Sequence, residues 1–217
     1  MADFETARRR MVDNQLRTSN VTDRRVLAAM GAVPRETFLS AEQQDLAYAD
    51  AVHPIAAGRA LGAPAPFAKL LQLAAIEHSD RVLDVAIGTG YSTAVLAQLA
   101  AEVTGIESDP ALAEAARRNL AAVGATNAKV VTAALDASIA ALGQFDVILV
   151  EGALETAPAH YFAALRDGGR LVALIRKGAT AEAHVYVRSG ADVAARTEFN
   201  ASLPPLALAP RSEAFVF

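Results

Sequence analysis

The amino-acid sequence predicts an α/β fold in which a central, mostly parallel sheet is covered by helices on both faces. Between residues 80 and 176, five apolar, strand-like segments alternate with helical segments, and this alternation is typical of parallel strands joined by helical crossovers. Residues 183–217 lose the alternation and predict an antiparallel hairpin at one sheet edge. We therefore expect a single domain, in which residues 1–78 form a helical N-terminal cap and residues 79–217 form the core.

The composition excludes several classes of protein. Of the 217 residues, 53% are hydrophobic and 20% are charged, which allows a large buried core. The net charge of −4 argues against a broad nucleic-acid-binding face, which needs many Lys and Arg contacts to phosphate. The absence of cysteine excludes disulfides and thiolate nucleophiles. Because the four histidines also lack ligand spacing, no metal site is expected.

The sequence shows neither a membrane span nor an export signal. No apolar run approaches the roughly 20 residues that cross a bilayer. The first residues, Met1–Glu5, lack a signal-peptide pattern. We expect a cytoplasmic protein without a membrane partner, and the sequence leaves its oligomeric state open.

Turn residues and apolar spacing delimit two helices in the N-terminal region. Thr22 is a candidate N-cap for a helix that runs to Met30 and ends before Pro34. Glycine and proline predict an extended loop over residues 53–66. A second helix follows, in which four apolar residues recur at helical spacing: Phe67, Leu70, Leu71 and Ala74.

In the core, strands and helical segments follow one another. The predicted strands span residues 81–86, 102–106, 129–133, 145–150 and 170–175. The predicted helical segments span residues 91–100, 110–123, 139–142 and 158–165. Asp109 caps the second of these ahead of Pro110, and Gly168-Gly169 ends the last. Three C-terminal strands are predicted at residues 184–188, 196–200 and 213–217.

The first core strand runs into a glycine turn that is a candidate ligand site. In sheets of this kind, ligands bind beyond the carboxyl ends of the strands, near the point where the strand order reverses. Gly88 and Gly90 allow the backbone to approach a ligand closely. The helix that begins at Tyr91 offers unpaired N–H groups at the same place.

Two classes of ligand compete for this turn. A dinucleotide site needs the spacing G-x-G-x-x-G and an acid about 20 residues further on. The turn supplies the first two glycines and Glu107 the acid, but Thr93 stands at the third glycine position. Asp84 also places a carboxylate where a pyrophosphate would be repelled. S-adenosyl-L-methionine carries a sulfonium and an ammonium but no phosphate, so the sequence favours this methyl donor.

Three acids follow core strands, and each has two interpretations. Glu107 ends the second strand, where it either accepts hydrogen bonds from both ribose hydroxyls or is a solvated acid. Asp136 follows the third strand and either accepts from the adenine amino group or caps the next helical segment. Glu151 ends the fourth strand and either orients a substrate or is solvated.

The chain resembles the protein-L-isoaspartate O-methyltransferases over roughly residues 8–176. The matching segments are residues 11–17, 22–30, 33–35, 45–48, 53–55, 82–96, 107, 145–150 and 168–172. The resemblance implies a Rossmann-like class I methyltransferase fold with a seven-stranded sheet, and methylation of the free carboxylate of isoaspartyl residues in damaged proteins. The residues it implies for S-adenosyl-L-methionine are Asp84, Ala86, Gly88, Gly90, Tyr91, Glu107 and Asp136.

The sequence departs from the family pattern at three places. The family usually has Thr-Ile-Ser-x-Pro in the loop before the Pro-led helix, whereas this chain has Ala60-Leu61-Gly62-Ala63-Pro64 and lacks both hydroxyls. The first glycine of the donor turn is replaced by Ala86, which is tolerated if its φ is negative and otherwise weakens donor binding. Of the family's Gly-Asp-Gly after the third strand, only Asp136 remains.

The altered loop supplies the candidate substrate residues. Gly62 occupies the position of the family's serine. Arg59 either binds a substrate carboxylate bidentately or is an exposed loop charge. His53 either contacts the substrate or is structural. With Glu151, these residues form the predicted acceptor side of the site.

Three hypotheses about function follow. The first is a carboxyl methyltransferase that acts on isoaspartyl sites in proteins or peptides. The second is a methyltransferase for another acceptor, either a small molecule or another macromolecule, and the altered loop motivates it. The third is a non-catalytic relative that binds the donor, motivated by Ala86 and the missing loop hydroxyls.

Overall fold

A seven-stranded sheet forms the centre of the computed structural model, which describes residues 3–136 and 139–206. Its strands are β3 (Arg81–Val85), β4 (Glu102–Glu107), β5 (Ala128–Thr132), β6 (Phe145–Leu154), β7 (Leu165–Lys177), β8 (Thr180–Ser189) and β9 (Asp192–Ala201). Two shorter strands, β1 (His53–Ala56) and β2 (Arg59–Leu61), form a separate antiparallel hairpin. The order across the main sheet is β5-β4-β3-β6-β7-β8-β9.

The strand directions confirm the predicted architecture. The five strands from β5 to β7 are parallel to one another, whereas β8 is antiparallel to β7 and β9 is antiparallel to β8. The strand order reverses at β3, because the chain proceeds outward to β4 and β5 and then returns to the other side of β3 as β6. The carboxyl ends of β3, β4 and β6 therefore meet at the switch point. The strand predicted at residues 213–217 lies outside the described residues.

Five α-helices surround this sheet in the described part of the chain: α1 (Phe4–Met11), α2 (Arg24–Ala32), α3 (Pro64–Ala74), α4 (Tyr91–Ala97) and α5 (Pro110–Ala122). The carboxylate of Asp109 accepts hydrogen bonds from the N–H groups of Ala111 and Leu112, which confirms the predicted cap. The predicted cap at Thr22 is wrong, because Asp23 accepts from the N–H of Arg25 instead. None of the described helices is long and apolar enough to cross a membrane.

Two other helical predictions need correction. The α4 helix ends at Ala97 rather than at residue 100. The segment predicted as a helix over 158–165 contains only a six-residue 3-10 helix, Ala159–Ala164. Gly168 and Gly169 lie within the range of β7 rather than ending a helix. Gly168 has a φ of +75° and lies at the register shift between the pairs Phe145–Leu165 and Val147–Arg170, so the backbone freedom of glycine is used at an irregularity of the strand.

The N-terminal segments pack over the sheet and place a hairpin above the switch point. Buried residues of α1, α2, α3 and the turns between them share one apolar cluster with α4 and with β3. The β1–β2 hairpin follows this cap directly and precedes α3. Ile55 of the hairpin packs on the turn after β3. The fold thus brings residues from the first 62 positions to the carboxyl ends of the parallel strands.

Candidate active site

The turn after β3 touches its neighbours so closely that two of its positions require glycine. Gly88 and Gly90 have φ angles of +57° and +95°, which residues with a Cβ rarely adopt. A Cβ at Gly88 would lie 2.5 Å from Cδ1 of Ile55, and a Cβ at Gly90 would lie 3.1 Å from Cβ of Ala116. The hairpin and α5 therefore close on this turn from two sides.

Ala86 opens the same turn in a strained conformation. Its φ is +67°, and a non-glycine residue in the left-handed region costs about 1–2 kcal/mol. The residue is held there because its N–H donates to the carbonyl of Ile106 at 2.9 Å. The condition under which the sequence predicts weakened donor binding, a positive φ at this position, is met.

The Glu107 carboxylate is the most heavily hydrogen-bonded group at the end of the sheet. Its side chain is fully buried, so the interpretation as a solvated acid is wrong. Backbone N–H groups of Gly88, Ser108 and Asp109 donate to it at 2.8, 2.8 and 3.1 Å. These bonds fix the carboxylate beside the glycine turn and stabilise its charge.

Arg59 of β2 forms a bidentate ion pair with this carboxylate. Its Nη1 lies 2.6 Å from Oε1 of Glu107, and its Nη2 lies 2.7 Å from Oε2. The Nη2 group also donates to the carbonyl of Ala86 at 2.6 Å. Only 13% of the Arg59 side chain is exposed, so it is not a free loop charge. The guanidinium of Arg59 is thus bound to Glu107 and to the turn after β3, which together form the donor side of the site.

Asp84 is a second buried acid, held from one side only. The hydroxyl groups of Ser92 and Thr93, in the first turn of α4, each donate to its Oδ2 at 2.7 Å. Its Oδ1 is buried without a hydrogen-bond partner among the described residues. Burial, together with the Glu107 carboxylate, raises the pKa of Asp84 to about 7, although the two hydroxyls act in the opposite direction. This oxygen keeps unused capacity to accept a hydrogen bond.

Glu151, in β6, is a third acid near the switch point and lacks a partner on one oxygen. Its Oε1 is buried and makes no hydrogen bond within the described chain. Burial raises the pKa of Glu151 well above its usual range, and the nearby Asp84 carboxylate adds to this effect. Glu151 is partly exposed, so its interpretations as a substrate contact and as a solvated acid both stay predictions. It lines a small cleft together with Arg59 and Gly62.

The space beside Gly62 is filled by the segment that follows β9. A Cβ at Gly62 would lie 2.7 Å from Cδ2 of Leu203, and a Cβ at Gly152 would lie 2.6 Å from Cβ of Leu206. The segment is anchored to β6, because the N–H of Ala153 donates to Pro204 and the N–H of Leu206 donates back to Ala153. We call residues 202–206 the closing segment, since it forms one wall of the cleft.

Arg35 supports the loop from the protein interior. This arginine is completely buried. Its Nε donates to the carbonyl of Ala47 at 2.7 Å, and its Nη2 donates to the carbonyl of Gly62 at 2.6 Å. Its guanidinium also lies 4.8 Å from the ring centroid of Tyr91. Arg35 thus fixes the backbone of Gly62 relative to the start of α4.

Tyr91 and His53 lie in the same buried layer. The ring of Tyr91 packs against Phe38 and Phe67, with centroid separations of 5.5 and 5.8 Å, and its hydroxyl has no partner among the described residues. Burial and the Arg35 charge lower the pKa of His53, whose Nε2 is buried and equally unpaired. Both side chains therefore adjoin the interior of the cap.

Asp136 is separate from the acids described above. Its side chain is exposed, and the described hydrogen bonds do not connect it to Asp84, Glu107 or Glu151. The neighbouring carbonyl of Leu135 accepts a hydrogen bond from the hydroxyl of Tyr161, which fixes the backbone just before Asp136. Its roles as an adenine contact or as a helix cap both stay predictions.

The strand order, the glycine turn at the switch point and the acid that ends the second strand define a class I methyltransferase fold. The family model for protein-L-isoaspartate(D-aspartate) O-methyltransferase matches residues 6–206 of this sequence. The chain belongs to this family.

Named relatives and solved structures agree with this assignment. A protein-L-isoaspartate O-methyltransferase of Koribacter versatilis is 42% identical over 172 residues, which cover 79% of this chain and 78% of the relative. The enzyme of Rhodopseudomonas palustris is 38% identical over 178 residues, which cover 82% of this chain and 81% of the relative.

One solved structure comes from Plasmodium falciparum and is described as a candidate protein-L-isoaspartate O-methyltransferase in complex with S-adenosyl-L-homocysteine. It superposes with a TM-score of 0.81 at 19% identity, covering 96% of this chain and 100% of that one. Another protein-L-isoaspartate O-methyltransferase superposes with the same TM-score at 21% identity, covering 92% of this chain and 66% of that one. At such identities, these two structures show the fold.

The structure assembles most of the residues that the sequence singles out, and it adds others. Asp84, Glu107, Glu151 and the glycine turn lie near the switch point, but β6 continues to Leu154, so Glu151 lies within the strand rather than at its predicted end. Sequence reasoning missed four contributors: Arg35, Ser92, Thr93 and Leu203. Ser92 and Thr93 follow the glycine turn directly, so their position in the sequence could have identified them as hydrogen-bond donors to Asp84. Arg35 and Leu203 gave no local signal, because their roles depend on contacts across the fold.

Proposed function

We propose that this chain transfers a methyl group from S-adenosyl-L-methionine to the free carboxylate of isoaspartyl residues in proteins or peptides. The observation that carries the proposal is the buried Glu107 at the end of β4, beside a turn whose Gly88 N–H it binds at 2.8 Å. Membership of the protein-L-isoaspartate O-methyltransferase family supports the choice of reaction.

The residues at the turn fit this donor. Glu107 offers a carboxylate to the two ribose hydroxyls, and the glycine turn admits a ligand close to the backbone. The unpaired Oδ1 of Asp84 and the unpaired Oε1 of Glu151 suit a cationic ligand, since an approaching positive charge stabilises their ionised forms. When bound, the donor supplies an electrophilic methyl group on a sulfonium.

The protein needs no general base for this reaction. An acceptor carboxylate is already ionised at neutral pH, so the chain has to position it and exclude water. Positioning alone contributes roughly 7–11 kcal/mol in favourable cases. The β1–β2 hairpin and the closing segment perform both tasks, since the hairpin packs on the glycine turn through Ile55 and the closing segment packs against Gly62 through Leu203. Arg35 holds the Gly62 backbone against Tyr91, which keeps this wall in place.

A methanol-release assay tests the proposal. The purified chain is incubated with S-adenosyl-L-methionine and an isoaspartyl peptide, and the labile methyl ester is measured as methanol. The matched control is the same peptide with a normal aspartyl linkage. We expect turnover with the isoaspartyl peptide only. Tight binding of the donor without any turnover of that peptide would contradict the isoaspartyl assignment.

One observation favours a second candidate function, methylation of a different acceptor. Leu203 occupies the space beside Gly62, where the family's loop usually carries a serine. An apolar wall at this place suits an acceptor that presents apolar surface beside Gly62, such as a small, largely apolar molecule. Incubating protein extracts and small-molecule pools with methyl-labelled donor distinguishes the two. Labelling confined to isoaspartyl peptides would exclude this alternative.

A further inference from the structure

The Glu107 carboxylate has no room for a sugar while Arg59 is bound to it. An ionised carboxylate offers about four lone-pair sites. Three backbone N–H groups and the two Nη groups of the Arg59 guanidinium already donate to the two oxygens of Glu107. Two ribose hydroxyls can therefore bind only after the guanidinium has left, since the backbone donors belong to the turn itself.

Arg59 also faces the acceptor side of the site. The cleft between the hairpin and the closing segment is lined by Arg59, Gly62, Glu151 and Leu203, among others. Of the described residues that line it, Arg59 alone carries a positive charge. The other titratable side chain that lines the cleft is the acid Glu151, which offers an acceptor carboxylate no positive charge. A guanidinium released from Glu107 lies next to this cleft and has the geometry to bind a carboxylate bidentately.

We propose that Arg59 serves the two substrates in turn. In the free protein it occupies the sugar-binding carboxylate of Glu107; when the donor's ribose displaces it, the guanidinium binds the acceptor carboxylate. Arg59 thereby makes the donor the first substrate to bind and couples its arrival to capture of the acceptor. This inference rests on the proposed function, because it takes the ribose and the carboxylate from that reaction.

The hairpin geometry allows such a change of partner. Arg59 follows Gly58, which has a φ of +66° and no neighbouring heavy atom within 4 Å of its Cβ position. The β1–β2 pairing contains a register shift between Pro54 and Ala56. The ion pair with Glu107 and the bond to the Ala86 carbonyl are the described polar contacts of the Arg59 side chain. The side chain can swing without breaking any sheet of the core.

The first part of the test measures donor-site affinity by calorimetry with S-adenosyl-L-homocysteine. If the Arg59 guanidinium competes with the nucleoside for Glu107, its removal raises the nucleoside affinity by the same factor by which the competition had lowered it. We expect Arg59→Ala to bind the nucleoside roughly tenfold more tightly than the unmodified protein, which corresponds to about 1.4 kcal/mol. Arg59→Lys, which cannot form the bidentate pair, should lie between them. The control is Arg166→Ala, which removes an ion pair with Asp146 at the opposite end of the sheet and should leave this affinity unchanged.

The second part measures binding of an isoaspartyl peptide with and without saturating S-adenosyl-L-homocysteine. In the unmodified protein we expect the nucleoside to tighten peptide binding at least roughly fivefold, a coupling in the usual range for linked sites. In Arg59→Ala this gain should disappear. Thermal unfolding of each variant establishes that it is folded before binding is compared.

The outcomes separate this inference from the proposed function. If Arg59→Ala binds the nucleoside equally or more weakly, Arg59 does not compete with the sugar and the inference fails. If binding tightens but the peptide gain persists, the transfer to the acceptor is wrong. If the unmodified protein binds no nucleoside, the proposed function itself fails. If it binds the nucleoside but not the peptide, the isoaspartyl acceptor is wrong, and the first part alone decides whether Arg59 competes.

Discussion

The donor side and the acceptor side of this site are built in different ways. Asp84 and Glu107 end neighbouring parallel strands, and the register that pairs Asp84 with Gly105 places both carboxylates at one edge. The acceptor side combines the β1–β2 hairpin, Arg35 and the closing segment, which lie far apart in the sequence. The carboxyl ends of parallel strands lie at the same edge of the sheet, so the strand order alone predicts where the residues of the donor side come together. The acceptor side depends on long-range contacts, and its loop lacks the two hydroxyls that are usual in the family.

The largest expected effect comes from removing the acid that anchors the donor side. Glu107→Ala leaves Arg59 and three backbone N–H groups without their buried partner. Breaking a buried ion pair in this way costs about 3–5 kcal/mol, and we expect that loss in urea unfolding. Loss of two hydrogen bonds to a charged group should also weaken S-adenosyl-L-homocysteine binding by at least about 100-fold.

The other end of the same strand provides the control for this prediction. Glu102 pairs with Arg81 and Lys129 at 3.1 and 2.7 Å, but 39% of its side chain is exposed. Such pairs contribute about 0–1 kcal/mol. If Glu102→Ala and Glu107→Ala lower the free energy of unfolding equally, the buried ion pair of Glu107 does not stabilise the protein more than the exposed pairs of Glu102.

The next effect concerns pH and Asp84. The ordinary pKa of this group is 3.8 and its folded pKa is about 7, so the folded protein binds the proton more tightly than the unfolded chain. Its contribution to stability is complete below about pH 4 and is lost as the pH rises to about 7. We expect the free energy of unfolding to fall across this window by an amount on the order of a few kcal/mol. The raised pKa of Glu151 acts in the same direction.

Urea titrations between pH 4 and pH 8 measure this fall. Asp84→Asn keeps the shape of the side chain and removes the titrating group, so it should flatten the curve. Glu107 and Glu151 are the acids that interact electrostatically with Asp84, and both remain in this variant. A curve that is unchanged in Asp84→Asn would show that the pH dependence arises elsewhere.

A smaller effect is expected when the acceptor side is returned to the family pattern. Gly62→Ser restores a hydroxyl, but its Cβ would meet Leu203 at 2.7 Å. Combining it with Leu203→Ala removes this contact. We expect the double variant to turn over an isoaspartyl peptide roughly tenfold faster than the original chain, which is about 1.4 kcal/mol in the barrier. Leu203→Ala alone is the matched control. Equal rates in all three proteins would mean that the loop hydroxyl does not limit the reaction.

The smallest effect is expected at Ala86. Ala86→Gly relieves about 1–2 kcal/mol of backbone strain, but it loses a buried methyl group worth about 0.8 kcal/mol and adds backbone freedom to the unfolded chain. These contributions nearly cancel, so the melting temperature should change by only a few degrees. The turn should nevertheless adapt more easily to a ligand, and nucleoside affinity should rise a few-fold in calorimetry. Weaker binding in Ala86→Gly would mean that the methyl group supports the turn.

Most of the fold could be predicted because its signals are local. Alternating strands and helices, the Asp109 cap and the glycine turn each depend on a few adjacent residues. One prediction failed because a local signal was assigned to the wrong element: Gly168, with a φ of +75°, lies at a register shift of β7 rather than at the end of a helix. In the site, the acids at strand ends were found for the same reason. The pairing of Arg59 with Glu107 spans 48 positions, and the contact of Leu203 with Gly62 depends on the return of the chain after β9, so neither leaves a pattern in the sequence.

The anchoring of the closing segment has a consequence for limited proteolysis. Ala153 uses both its N–H and its carbonyl to hold residues 204 and 206. A cut just after Ala201 would leave all seven strands of the sheet paired, yet it would expose these two backbone groups and the flank of Gly62 to solvent. Solvent that enters there competes with the acceptor for the methyl group. We therefore expect the cleaved protein to stay folded but to transfer part of the donor's methyl groups to water instead of to the acceptor.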